Sequence, residues 1–543
     1  MKRHTLYTIV LTALLLGGIS CKKQLDVENP NQPSLSNAQT ESGIISLAMG
    51  AVYINGFQGV DLGDLNWLGD TYFSLAIGFH ELLGDNISAE ASNQNINVVN
   101  LPDYVILDNG SKITNSSPSK SVMRISNSRD KRASNAFYYE WSYLYSMNNA
   151  CNNVLDLVDG TTFSGDSATK KNTIKAWAYF WKGFAYSRIG SIYYSAVITN
   201  TTNAQVSDYK LHDEIVTEAN KYLDMAASTL QGINNAGDYT DVLSKLIPSF
   251  TQTGHGGVLT TDMWVHNINT LKARNLLVNK AVTAMTAADW KTISDLSAAG
   301  VQEGDYVFTG RTTDINGFFS AGAGSVAAMT TGNPNNTTFK ISERLIQDYK
   351  TGDKRLDNNF SLKTYLNQVG GFTFSTRYAL VDAGNGIAGT AVLTDKTPGN
   401  YELYIAGSYE ENALMQAESK IYAGDIEGGL QLVDKVRTYQ GAGIAAVAGT
   451  GLTLAQAKEE LRRERRVSLV FRGTSFYDAR RWGVIYDVSK GGGRRGCVVL
   501  TPQNELNTNA TINYNFLDYW DVPADESDIN IPSSGSAPIK NPD

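Results

Sequence analysis

The sequence predicts an all-α fold, a scaffold of tetratricopeptide-like helical hairpins interrupted by long irregular insertions. Three observations carry the prediction. Apolar residues recur at steps of three and four over long stretches, the period of a helix with one buried face. The helical segments come in pairs, and Trp141 and Trp177, on successive helices, stand 36 residues apart. The stretch Ile421–Arg437 has a Gly-Asp turn that leads into an apolar-periodic helix, and such units at periods near 34 residues stack as helical hairpins.

Helical periodicity begins near Ser42 and runs through Ile45, Ala48 and Val52. A helix near Tyr72 to Leu83 is expected next, inside an otherwise irregular insertion at about 61–132. From Asn135 the signal returns, with Trp141, Leu144, Tyr145 and Asn148 on one face, continuing to Asn152 and Leu155. A second helix is expected over Asn172–Tyr194, with Trp177, Phe180, Phe184 and Ile189 facing inward. Its Ala178, Gly183 and Ala185 leave room for a neighbouring helix. Further helices are expected near Leu211–Leu230, near Asn269–Met285 and from Ala287. Residues 301–400 lose the period again, apart from a short helix at Ser342–Tyr349. Two last pairs occupy about Glu410–Tyr439 and Leu454–Tyr486. The scaffold is thus read as about 41–60, 135–300 and 409–487 of one domain spanning 41–543, with insertions at about 61–132 and 301–400.

The N-terminus reads as an export signal. Lys2, Arg3 and His4 precede an apolar run from Leu6 to Leu16, and small residues lead to Cys21. A run of eleven residues is too short for a bilayer core of about 30 Å, so residues 1–20 are expected to be a removable signal peptide. Cys21 is expected to carry a lipid, followed by a polar leader to residue 40. Gly18 stands where a larger aliphatic residue is usual, and an ordinary signal peptide with an incidental cysteine is the alternative. Without Lys2 and Arg3 the chain has 44 basic and 54 acidic residues. That balance disfavours nucleic acid, whose binding rests on clustered Lys and Arg. Cys151 and Cys497 are too few for a disulfide framework and read as isolated buried thiols, one disulfide being the alternative.

The string Leu461–Gly483 is the most unusual. Five consecutive charges, Arg462 to Arg466, point all around a helix at about 100° per residue. Leu454, Ala457, Leu461, Ser468 and Phe471 define an inner stripe, and Glu464 and Arg465 fall on its continuation. Inward charges are costly unless paired. A structural network of Glu464, Arg465, Asp478 and Arg481 is therefore expected to clamp the final hairpin. An anion or nucleic-acid site and an ordinary solvated face are the alternatives.

Arg-Arg-Glu-Arg-Arg, followed by Leu-Val-Phe-Arg-Gly, Ser-Phe-Tyr-Asp and Arg-Arg-Trp-Gly, strongly resembles the C-terminal signature of the SusD/RagB family of outer-membrane nutrient-binding lipoproteins. The likeness extends along the chain in order. It takes in Leu25-Asp26 with Pro30, Trp141 to Asn152, Ala178 to Tyr186, Lys272-Ala-Arg-Asn-Leu-Leu, Gly352-Asp-Lys-Arg355, Glu418–Arg437, and Val522-Pro523 with Glu526. One departure is Ile192-Tyr-Tyr-Ser-Ala-Val, which lacks the family's usual Gly-x-Val-Pro.

The resemblance implies a SusD-like fold and a lipid-anchored, surface-exposed outer-membrane protein that is not an enzyme. It implies capture of oligosaccharides, or in some cases peptides or another nutrient, for a SusC-like TonB-dependent transporter. No cofactor or metal is implied. A surface glycoside hydrolase is the main rival and needs only two carboxylates about 5–10 Å apart. Yet the five histidines are scattered and no His-Glu-x-x-His or Gly-x-Ser-x-Gly occurs. An interaction scaffold is the third class. Sugars offer C–H faces that stack on aromatic rings and hydroxyls that need short polar partners. Trp67, Asn93, Asn95 and Tyr104 of the first insertion are the nominated contacts, with Tyr306, Phe318 and Phe319 of the second. Each could equally be an anchor for its loop.

Overall fold

The computed structural model describes residues 38–55, 76–90, 94–202, 204–311, 339–367, 374–380 and 402–543. The fold is all-α with a few small sheets. Helix α1 (Glu41–Tyr53) starts where the Thr40 hydroxyl accepts from the Gly43 amide at 3.1 Å, an N-cap for otherwise orphaned donors. A short α2 (Gly78–Leu83) follows. Asn135 and Asp166 cap the long hairpin of α3 (Ala136–Val158) and α4 (Ser167–Ile192). Next come α5 (His212–Gln231), α6 (Ala236–Leu246), α7 (Thr261–Val278) and α8 (Ala287–Ala298). A single turn and a half, α9 (Lys354–Asn359), precedes the pair α10 (Tyr409–Tyr422) and α11 (Ile426–Tyr439). The last pair is α12 (Leu454–Ser468) and α13 (Ser475–Arg481). Between α10 and α11, Gly424 takes φ +96° and the Asp425 carboxylate caps α11 through the Gly428 amide. That is the hairpin turn expected from the Gly-Asp pair.

Helix α4 is the centre of the molecule and packs against α1, α3, α5, α6 and α7. Its Trp177, Phe180, Trp181 and Phe184 are buried, and Phe180 and Phe184 each contribute roughly 1.5–3 kcal/mol by leaving water. Close approach to α5 depends on glycine. A Cβ at Gly183 would lie 2.7 Å from Leu223, and one at Gly190 would lie 2.9 Å from the His212 carbonyl oxygen. Lys182, on the same helix, is buried and donates to Asn148 at 2.8 Å and to Asn152 at 2.5 Å. Burial pushes its pKa down to about 8. Cys151 and Cys497 are both buried and free.

Several boundaries differ from expectation. The helix expected over Asn269–Met285 runs Thr261–Val278, because Thr260 caps its start. Helix α6, capped by Asn235, was not expected, although its buried Tyr239, Val242, Leu243 and Leu246 recur at steps of three and four. Of the helix expected near Tyr72, residues up to 75 lie outside the described residues. The first insertion also holds strands rather than loops alone. Tyr104–Ile106 lies between Lys112–Thr114 and Leu506–Asn513 in a four-stranded antiparallel sheet completed by Arg494–Leu500. Ile87–Ala89 pairs with Phe339–Ile341, which ties the two insertions together. Three-residue strands are too short to show alternation, and apart from the Tyr104–Thr114 hairpin these partners lie hundreds of residues away. Among the described residues no helix is long and apolar enough to cross a membrane.

Candidate ligand-binding site

Of the nominated contacts, Trp67, Asn93, Phe318 and Phe319 lie outside the described residues, as does Cys21. Asn95 falls on the short helix Gln94–Asn97. Tyr104 is half-buried in the four-stranded sheet, with the Lys112 ammonium 3.8 Å from its ring centroid. Tyr306 sits elsewhere, in the segment between α8 and the strand Thr309–Arg311. The two tyrosines thus belong to separate parts of the fold.

Tyr306 is 40% exposed, more open to solvent than the half-buried Tyr104. A Cβ at Gly257 would lie 2.8–2.9 Å from three consecutive ring atoms, so the ring lies flat on the Gly257 backbone and only glycine leaves room for it. The segment is held in place by its backbone. The Tyr306 carbonyl accepts from Asn267 at 3.1 Å, and the Val307 amide donates to the His255 carbonyl at 2.9 Å. Next to it Asp305 meets His266 at 2.8 Å.

His255 brings the surrounding elements together. Its Nδ1 lies 2.8 Å from the Tyr404 hydroxyl and its Nε2 2.5 Å from the Tyr439 hydroxyl. A neutral imidazole has one donor and one acceptor nitrogen, so one tyrosine gives a hydrogen bond and the other receives one. Tyr404 is on the strand Glu402–Tyr404, paired with Thr309–Arg311, and Tyr439 ends α11. Tyr409 packs edge-on to Tyr439 at 5.0 Å, and the Arg472 guanidinium lies 3.7 Å over the Tyr404 ring. Arg472 is aimed there by its turn, in which Phe471 and Gly473 both take left-handed φ, +58° and +68°. For a phenylalanine this costs of order 1–3 kcal/mol, offset by burying its ring. Arg472 also meets Glu410 at 3.6 Å, and Gln440 donates to Glu410 at 3.2 Å.

The outcome is a patch of half-buried tyrosines, an imidazole and an arginine beside the exposed Tyr306. It offers aromatic faces and fixed donors and acceptors, the chemistry a polyhydroxylated ligand needs. Of its members only Tyr306 was nominated. His255 reads in the sequence as a structural or surface histidine, because Tyr404 and Tyr439 are 149 and 184 residues away. No local signal could have joined them.

The charged run is a separate, buried assembly. Glu464 accepts from Arg355 at 2.6 Å and from Arg437 at 2.7 Å. These partners lie on α9 and α11, so it does not pair within the final hairpin as expected. The side chains at 464 and 465 diverge around the helix, which sends them to different neighbours. Burial alone would raise the Glu464 pKa, but Arg355 and Arg437 outweigh it and hold the carboxyl below its usual range. Arg465 and Arg481 both donate to Asp478, at 2.9 and 2.7 Å, and Arg481 also meets Glu418 on α10 at 2.5 Å. Arg465, Asp478 and Arg481 therefore meet one another, while Glu464 belongs to the neighbouring cluster.

Residues 306–532 match the model of the SusD family. Solved structures show the same fold at low sequence identity. A SusD superfamily protein from Parabacteroides distasonis aligns with a TM-score of 0.55 and 13% identity, over 91% of this chain and 99% of that one. A SusD-like carbohydrate binding protein from Bacteroides fragilis aligns at 0.53 and 15%, over 90% and 98%. Another from Bacteroides vulgatus aligns at 0.52 and 13%, over 88% and 91%. No curated protein matches the sequence. The class is thus an all-α, tetratricopeptide-like scaffold with insertions. Its residues 306–532 are similar to the SusD family, and the chain as a whole shares the fold of SusD-like structures.

Proposed function

We propose that this chain is a cell-surface glycan-binding lipoprotein, held to the outer membrane through a lipid on Cys21. It captures oligosaccharides without cleaving them and delivers them to a SusC-like TonB-dependent transporter. The observation that carries the reading is the Tyr306–His255 patch, where an exposed ring laid on Gly257 adjoins a hydrogen-bonded set of tyrosines. The carbohydrate binding named for two of the structural neighbours supports the ligand class. Two of the described carboxylates near the patch already have partners. Asp305 is committed to His266, and Glu410 to Arg472 and Gln440.

Incubating the purified protein with an oligosaccharide panel tests this directly. Calorimetric binding with the sugar recovered intact is the expected result. New, shorter products would replace the receptor by a glycosidase, and the absence of binding across neutral and charged glycans would remove the ligand class.

A further inference from the structure

The charged run encloses something the ion pairs do not use. A cavity of about 20 Å³ is lined by Arg462, Arg465, Arg466, Arg494, Asp478 and Trp482, among others. A space of that size holds one water-sized particle. Four arginines and a single carboxylic residue line it. Arg465 is 1% exposed, and its Nη1 has no hydrogen-bond partner among the described residues.

The surrounding charges do not balance. Arg344, Arg462, Arg465, Arg466, Arg481 and Arg494 share the carboxylates of Asp85, Asp348, Glu418, Glu459 and Asp478. Among the described residues these six cations meet five anions, and the half-buried Arg463 also draws on Glu459, while Asp85 alone serves Arg344 at 2.7 Å, Arg494 at 3.2 Å and Arg466 at 3.8 Å. Glu81, the other buried carboxyl nearby, bonds the Asn86 amide and the Gly473 backbone, and burial raises its pKa to about 7. Arginine does not shed its charge in proteins, and an uncompensated buried cation is costly. Arg466 carries the mark of this crowding: burial, then Arg494, push its pKa down to about 10.

We infer that the cavity between α12, α13, the Gly84–Asn86 turn and Arg494 binds one monatomic monovalent anion, chloride in the native setting, against the free Arg465 Nη1. A water would satisfy the donor and leave the surplus charge. Room for one water-sized particle favours a monatomic ion over sulfate, phosphate or a carboxylate. The anion joins the last hairpin to segments nearly four hundred residues away, so it acts as a structural ligand. The site is independent of glycan binding.

The test uses the full chain in detergent. Crystals grown in bromide should give an anomalous peak in the cavity beside Arg465. Denaturation midpoints should be higher in chloride or bromide than in gluconate at equal ionic strength. Above its dissociation constant, the folding equilibrium constant should rise about tenfold per tenfold increase in chloride. Arg465→Met should abolish that dependence, and if it fails to fold, the parent's bromide peak and midpoints still decide. Ordinary density without an anomalous signal means water and overturns the inference. A bromide peak with midpoints indifferent to halide means an adventitious ion only, and overturns it equally.

Discussion

Replacing Glu464 by alanine probes the burial of charge in this fold most sharply. The carboxylate is 2% exposed and bridges Arg355 and Arg437, with the Ser468 hydroxyl donating to it as well. Breaking a buried pair from one side costs about 3–5 kcal/mol, because the partner charge stays behind. Here neither arginine is stranded: Arg355 keeps Asp353 at 2.7 Å and Arg437 keeps Glu460 at 2.8 Å. The loss should therefore fall at the low end, about 3 kcal/mol. Urea denaturation of parent and variant measures it as a lower midpoint at constant slope. Asp295→Ala, in the exposed pair Lys291–Asp295, is the control and should leave the midpoint unchanged. The effect has a pH signature. The folded-state pKa of Glu464 is depressed, so its contribution is present above the ordinary glutamate value of about 4.3 and is lost as pH falls through the folded value. The variant should show a flatter acid limb. A midpoint equal to the parent's would refute the reasoning and return the charged run to a solvated face.

Glu81 should behave in the opposite sense. Burial raises its folded pKa from 4.5 to about 7, so stability falls as pH rises across that window, by on the order of 3 kcal/mol in full. Glu81→Gln should erase the slope, and an unchanged profile would count against it. Tyr306→Ala should weaken glycan binding roughly tenfold at nearly constant melting temperature. Stability lost first, with affinity intact, would make the ring a loop anchor. Gly257→Ala should reproduce the affinity loss by displacing that ring. Cys21→Ala should release the protein from the membrane fraction, and retention would remove the lipid anchor from the proposal.

The scaffold was legible in the sequence because helices announce themselves locally. Trp177, Phe180 and Phe184 reveal the inner face of α4, and Gly424-Asp425 reveals a hairpin turn, from residues a few positions apart. The same locality exposed Glu464 and Arg465 as charges facing inward, since a helix fixes direction at 100° per residue. It could not say whom they meet. Arg355 is 109 residues from Glu464, Asn86 is 380 residues from Arg466, and Tyr439 is 184 residues from His255. Partner choice depends on how hairpins stack and on where insertions return to the scaffold, and those are decided by packing over the whole core. The sequence by itself thus determined the helices, their pairing and the presence of buried charge. Only the tertiary structure decided which charges pair, where the Arg465 Nη1 is left without a described partner, and which tyrosines gather around one imidazole.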